Sequence, residues 1–258
     1  MTSIDSLTQQ LLDLAHALGE AGRGQAILGE GNVSAAVDDD QFLVKSSGAT
    51  LGALTVSGLT LTATAPVLKL LSDQPDDEAV EAALLGARRR AGDRKPSVEA
   101  AFHAWLLTLP DVNFVGHTHP AHLLGVLASK AAPVLAAERF FPDHVVCCGP
   151  DSVLVPYYDP GVTLAVAIRE RVEAYRAQRG VTPRTILLEN HGLIAIGETP
   201  GQVLSACLMM EKAAHVYLQG CLAGGARPMP REQVTRIASR IDEHYRQAAI
   251  SGQSSPAR

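Results

Sequence analysis

Two histidines two residues apart, His117 and His119, end an apolar run and precede a proline in Asn113-Phe-Val-Gly-His-Thr-His-Pro120. On a β-strand, residues i and i+2 point to the same face, so both imidazoles can converge on one point. Pro120 then ends the strand and starts the next helix. Two convergent neutral imidazoles are half of a typical site for zinc or a similar divalent metal, although an isolated His-x-His is more often a plain polar strand end. His191 supplies the missing third ligand. It stands at a tight Asn190-His191-Gly192 turn between two apolar runs, a turn that needs no other role to exist. Three histidines from two strand ends give three protein ligands and one open position, the arrangement of catalytic zinc, in which a Lewis acid can reach substrate oxygen.

Glu99 lies at the start of a helix-patterned segment in Lys95-Pro-Ser-Val-Glu99. There it either complements the helix dipole or carries protons beside the metal. Ser97 caps that helix or directs a hydroxyl to an anion. Two glycine-containing bends, Gly29-Glu-Gly-Asn-Val-Ser34 and Ser46-Ser-Gly-Ala49, can expose backbone N–H groups as an anion nest, or serve as plain hairpin bends. Lys45 either adds positive charge there or lies on the solvent face of a strand. His103 follows Glu99 by four residues but sits with Phe102 and Leu106 and reads as structural. Met209 and Met210 read as core.

The elements that must position these residues follow from periodicity. Residues 6–22 form an amphipathic helix, and 26–37 with 41–48 form a hairpin around an acidic turn, Asp38-Asp39-Asp40. A short strand is expected over 60–65, helices over 67–72, 78–91 and 97–107, the metal-bearing strand over 113–119 and a helix over 121–130. Short strands are expected over 142–148 and 152–157. A helix over 163–179, two strands over 185–196 and helices over 200–222 and 231–249 complete the chain, with 251–258 as a flexible tail. Hairpins mixed with helices imply an α/β sandwich, a mostly antiparallel sheet covered by helices. No linker divides the chain, so residues 1–250 are expected to form one domain.

Bulk properties narrow the function. A net charge of −5, with no basic run beyond Arg88-Arg89-Arg90, argues against nucleic-acid binding. Cys147, Cys148, Cys207 and Cys221 lack the spacing of a zinc ribbon or a disulfide framework. Without a signal-peptide pattern or an apolar run of membrane-spanning length, the expectation is a cytoplasmic protein with no membrane partner.

Taken together, Gly31-Asn32-Val33-Ser34, Ser47-Gly48, Pro96-Ser97-Val98-Glu99, His117-Thr-His119 and Asn190-His191-Gly192 resemble the class II aldolase/adducin family, whose members include L-fuculose-1-phosphate and rhamnulose-1-phosphate aldolases. The resemblance runs in register from the first helix to about residue 222. It implies a three-layer α/β/α sandwich assembled as a homotetramer with active sites between subunits. It also implies zinc, or another divalent metal, on His117, His119 and His191, with Glu99 as the proton shuttle. Gly31, Asn32, Ser47, Gly48 and Ser97 would bind substrate phosphate, and Tyr157, from a neighbouring subunit, would act as general acid. Tyr158 competes for that last role.

The function so implied is aldol cleavage of a phosphorylated sugar or sugar-acid, through an enediolate whose charge the metal stabilises. Decarboxylation or dehydration of a related keto-sugar is the alternative, and a non-catalytic adducin-like domain a remote one. Three departures stand out. Val98 replaces a second serine before the glutamate, Glu30 places a negative charge in the first bend, and the segment 65–95 is long.

Overall fold

The computed structural model describes residues 3–240. Seven strands form one sheet: β1 (Asn32–Ala36), β2 (Gln41–Lys45), β3 (Leu59–Ala63), β4 (Phe114–Thr118), β5 (Val153–Val155), β6 (Thr185–Leu188) and β7 (Gly192–Gly197). Their order is β3-β2-β1-β4-β7-β6-β5, and every pairing is antiparallel except β5 with β6. The helices are α1 (Ile4–Leu18), α2 (Thr64–Asp73), α3 (Asp77–Gly86), α4 (Ala100–Leu106), α5 (Ala121–Leu127), α6 (Ala132–Ala137), α7 (Pro142–Cys148), α8 (Val162–Arg179), α9 (Pro200–Leu222) and α10 (Arg231–Ala238).

Alternation along the strands divides the core in two. Val33, Ala35, Phe114, Leu187, Leu193 and Ala195 pack under α1, α5 and α9. Val44, Val115, Ile186, Leu188, Ile194 and Ile196 pack under α2, α4 and α8. The sheet is therefore covered on both faces, giving the expected three-layer sandwich with a mostly antiparallel centre.

Residues 142–148 are not a strand. They form α7, with Pro142 at its first turn and Val145, Val146, Cys147 and Cys148 all buried. A β-branched run buried on every side carries no helical period, whereas a proline at the first helical position marks the helix directly. Residues 132–137, given no element in the sequence reading, form α6, also with proline in its first turn. The strand expected over 152–157 shortens to β5, the helix over 97–107 to α4, and the helix over 78–91 to α3. Arg88 and Arg89 lie past α3 rather than on it, where Thr62 bridges Arg88 and the Arg89 N–H donates to Leu61. The helix expected over 231–249 is α10, which ends at Ala238 with Ser239 as its C-cap, and residues 241–249 and the tail 251–258 lie outside the described residues. Among the described residues no helix is long and apolar enough to cross a membrane.

Candidate metal centre

The candidate residues gather at one rim of the sheet. His117 sits on β4, paired with Asn32 of β1 on one side and Ile194 of β7 on the other. It shares the α4-facing side of the sheet with Val115, which places its ring edge-on to Phe102 of α4 at 5.7 Å. His119 lies just past β4 and faces the same way, its ring centroid 4.8 Å from that of His117. His191 arrives from the turn joining β6 and β7, where Asn190 adopts φ 55°. Its ring centroid is 4.9 Å from His117 and 5.0 Å from His119.

Glycine is needed at two points for this convergence. A Cβ on Gly192 would lie 2.4 Å from the Thr118 carbonyl oxygen and 2.9 Å from the His119 ring. One on Gly31, itself at φ 75°, would lie 2.7 Å from the His117 carbonyl oxygen. Gly192→Ala is accordingly expected to cost about 1–3 kcal/mol of stability, the usual range for overpacking, and to push His191 off the other two rings. Urea unfolding together with metal content would measure both effects.

The donor set fits a divalent cation. One ligand nitrogen from each histidine can be chosen so that all lie within 4.8 Å of one another, and His117 Nε2 and His119 Nε2 are 3.0 Å apart. Nitrogens about 2.0–2.1 Å from a tetrahedral zinc sit slightly over 3 Å apart, so the His117–His119 spacing suits such an ion, with His191 in reach of the same point. His117 Nδ1 lies 2.9 Å from the Leu193 carbonyl oxygen and carries a proton toward it, so Nε2 is the nitrogen a cation would take, in place of the proton that nitrogen otherwise shares with Glu99. Burial and the neighbouring His117 and His191 push His119 down to about 3, with Glu99 opposing, so its ring stays neutral and able to bind a metal.

Glu99 caps α4 in an αR conformation rather than lying inside its first turn. Its Oε1 is 3.2 Å from His117 Nε2 and 3.6 Å from His191 Nε2, while Asn32 Nδ2 donates to Oε2 at 3.5 Å. Burial opposes its ionisation, but the His117 charge and hydrogen bonds from His117 and His191 outweigh this and hold the carboxyl well below its ordinary range. His117 moves in the complementary direction: burial works against its charge, and Glu99 raises it overall. Glu99 is thus an anion poised between two ring nitrogens that face the shared centre.

The two bends also adjoin this rim. Ser46 bridges Pro96 and the Ser47 N–H donates to Lys95 O at 2.9 Å, which brings Ser47 and Gly48 beside the 95–99 segment. Gly48 is left-handed at φ 76°, and Ser97 Oγ accepts the Glu99 N–H at 3.3 Å. Lys45 is not on a solvent face. It is buried, its ammonium donates to the Ala49 carbonyl at 2.8 Å, and burial lowers its pKa while Glu99 acts in the other direction. Tyr157 stands apart from the histidines in this respect: it is 55% exposed and its hydroxyl donates to Asp159. Tyr158 is also exposed.

His103 is buried and structural, its Nδ1 2.7 Å from the Ser34 hydroxyl and its ring stacked on Phe102. Sequence reasoning missed Glu211. Its carboxylate accepts the N–H groups of His122 and Leu123, capping α5 immediately after His119 and Pro120. It comes from α9, 89 residues away from His122, so no local signal could have shown it.

Residues 9–218 match the family described as "Class II Aldolase and Adducin N-terminal domain". The chain is 31% identical over 202 residues to the 3-oxo-tetronate 4-phosphate decarboxylase of Haemophilus influenzae, covering 77% of this chain and 82% of that protein. It is 30% identical over 151 residues to the 5-methylthioribulose-1-phosphate/5-deoxyribulose-1-phosphate aldolase of Rhodospirillum rubrum, covering 58% of this chain and 63% of that one. The fold is similar to that of L-fuculose 1-phosphate aldolase from Glaciozyma antarctica, with a TM-score of 0.66 at 19% identity over 96% of this chain and 89% of that one. The chain belongs to the class II aldolase/adducin family.

Proposed function

We propose that this protein is a metal-dependent carbon–carbon lyase acting on a phosphorylated sugar or sugar-acid by retro-aldol cleavage. The observation that carries the reading is one carboxylate oxygen, Glu99 Oε1, within 3.6 Å of ring nitrogens from both His117 and His191. A proton carrier and a set of cation ligands thus address the same small volume.

His117, His119 and His191 would hold zinc or another divalent metal; three imidazoles also suit manganese, cobalt or iron. When bound, the cation supplies Lewis-acid stabilisation of the negative charge that bond cleavage leaves on substrate oxygen. In cleavage the substrate hydroxyl gives up a proton and the carbon left behind takes one; Glu99, starting as a carboxylate, would shuttle that proton, and Asn32 keeps its second oxygen oriented. Ser47, Gly48, Ser97 and Lys45, with Gly31 and Asn32 across the rim, would bind the phosphate through hydroxyls, backbone N–H groups and the ammonium. Tyr157, free of its own chain's core, would serve as general acid in a neighbouring subunit of a homotetramer.

The assignment of Lys45 has a direct check. Lys45→Met is expected to lower kcat/KM for the phosphorylated substrate by roughly 10–100-fold, mostly through KM, as loss of a hydrogen bond to a charged group does. The dephosphorylated analogue should lose little, and steady-state kinetics on the pair would show it.

The likeness to the Haemophilus decarboxylase favours a second reading, loss of CO₂ from a 3-oxo sugar-acid phosphate. The same residues would serve it, since a carbanion equivalent must again be stabilised and protonated. Incubating the metal-loaded protein with phosphorylated ketoses and 3-oxo acids separates the two: a released aldehyde supports the aldolase, and CO₂ without aldehyde supports the decarboxylase. Neither product from any such substrate counts against both.

A further inference from the structure

Glu30 lies inside the first glycine bend, where its charge works against a bound anion, yet its carboxylate has other neighbours. Oε2 accepts the Ile27 N–H at 2.8 Å, which anchors the side chain across its own loop. Oε1 lies 3.8 Å from Nδ1 of His119, just beyond hydrogen-bonding distance. The other nitrogen of that ring, Nε2, is 3.0 Å from His117 Nε2. His119 is therefore flanked by the ligand cluster on one side and a carboxylate on the other.

The loop bearing Glu30 also grips His119 through the backbone. The His119 N–H donates to Gln25 O at 2.8 Å, and the Ala121 N–H to Gly24 O at 3.4 Å. Gly31, closing the loop, has no room for a side chain against the His117 carbonyl. The three rings differ in what faces their far nitrogen. His117 has the Leu193 carbonyl, and His191 Nδ1 is buried without a hydrogen-bond partner. His119 faces Glu30.

Resting on the three-histidine metal reading above, we infer that Glu30 is a positioning residue of the metal centre. Its carboxylate, 3.8 Å from Nδ1 of His119, favours the tautomer that carries the proton on that nitrogen and leaves Nε2 its lone pair, and it adds negative charge beside the cation. Outer carboxylates of this kind typically contribute about 10–100-fold to metal affinity.

The test is a zinc titration of the metal-stripped full chain against a chromophoric chelator. Wild type is expected to bind one zinc per chain. Glu30→Ala should bind roughly 10–100-fold more weakly, and Glu30→Gln, which keeps an oxygen acceptor but not the charge, should fall between. The metal-free thermal midpoint of Glu30→Gln should match wild type, which separates weaker binding from a damaged fold. Unchanged zinc affinity in both variants, with wild type binding one zinc, overturns the inference alone. Tighter binding of inorganic phosphate by Glu30→Gln, again at unchanged zinc affinity, also overturns it and assigns Glu30 to the anion subsite. A wild type that binds no stoichiometric zinc removes the metal reading itself.

Discussion

Replacing Glu99 with glutamine is expected to lower kcat/KM by about 10²–10⁴-fold while the protein still takes up one divalent cation per chain. Glutamine keeps the shape and one oxygen of the side chain but cannot accept a proton. The histidines hold the wild-type carboxyl in its ionised form, so proton acceptance is the property removed. The geometry separates this loss from loss of metal. Asn32 still has an oxygen to donate to, and the mutual approach of His117 and His119 does not depend on Glu99. Initial rates on the cleaved substrate and elemental analysis of the same preparation would check both halves. Loss of the metal together with activity would make Glu99 part of the ligand shell instead.

His191→Ala should remove metal and activity together. Its side chain is only 8% exposed, and it is the single ligand contributed by the β6–β7 turn. Two imidazoles remain, on one strand end, and a two-ligand site cannot close the tetrahedral set that zinc takes in proteins. The affinity should fall by more than the roughly 100-fold upper range of an outer-shell partner. Activity without added metal should be undetectable. The fold should survive, because the neighbouring strand residues Leu188, Leu193 and Ile194 supply the packing there. Circular dichroism and a metal titration would establish this, and retention of tight binding would exclude His191 as a ligand.

Much of the centre was legible because strand geometry has a short, fixed period. His117 and His119 had to share a face, and Pro120 had to end the strand. The Asn190-His191-Gly192 turn was equally readable, since asparagine and glycine announce it. What the sequence could not carry was contact between distant segments. Glu30 reads as an adverse charge in an anion bend, and only the path of its loop brings it beside His119. Lys45 alternates as though on an open strand face, yet the 46–58 loop buries it against Ala49.

Secondary structure was least legible where burial erased the pattern. The Val145–Cys148 portion of α7 is apolar all round, so neither period 2 nor period 3.6 stands out, and β-branched residues tilt the reading toward a strand. Glu99 was placed at a helix start correctly, but its position as the cap rather than inside the first turn depended on where α4 begins. Tyr157 presents another limit: a role in a neighbouring subunit leaves no trace in contacts within its own chain.

X-ray absorption at the metal edge of the loaded protein reads the ligand set itself. One metal per chain is expected, with a nitrogen and oxygen first shell, the scattering pattern of about three imidazoles at roughly 2.0–2.1 Å for zinc, and no sulfur. Of the four cysteines, Cys147, Cys148 and Cys207 are buried and Cys221 is exposed, and none belongs to the histidine cluster. A sulfur ligand, fewer than three imidazoles, or no stoichiometric metal would rule out a cation held by His117, His119 and His191.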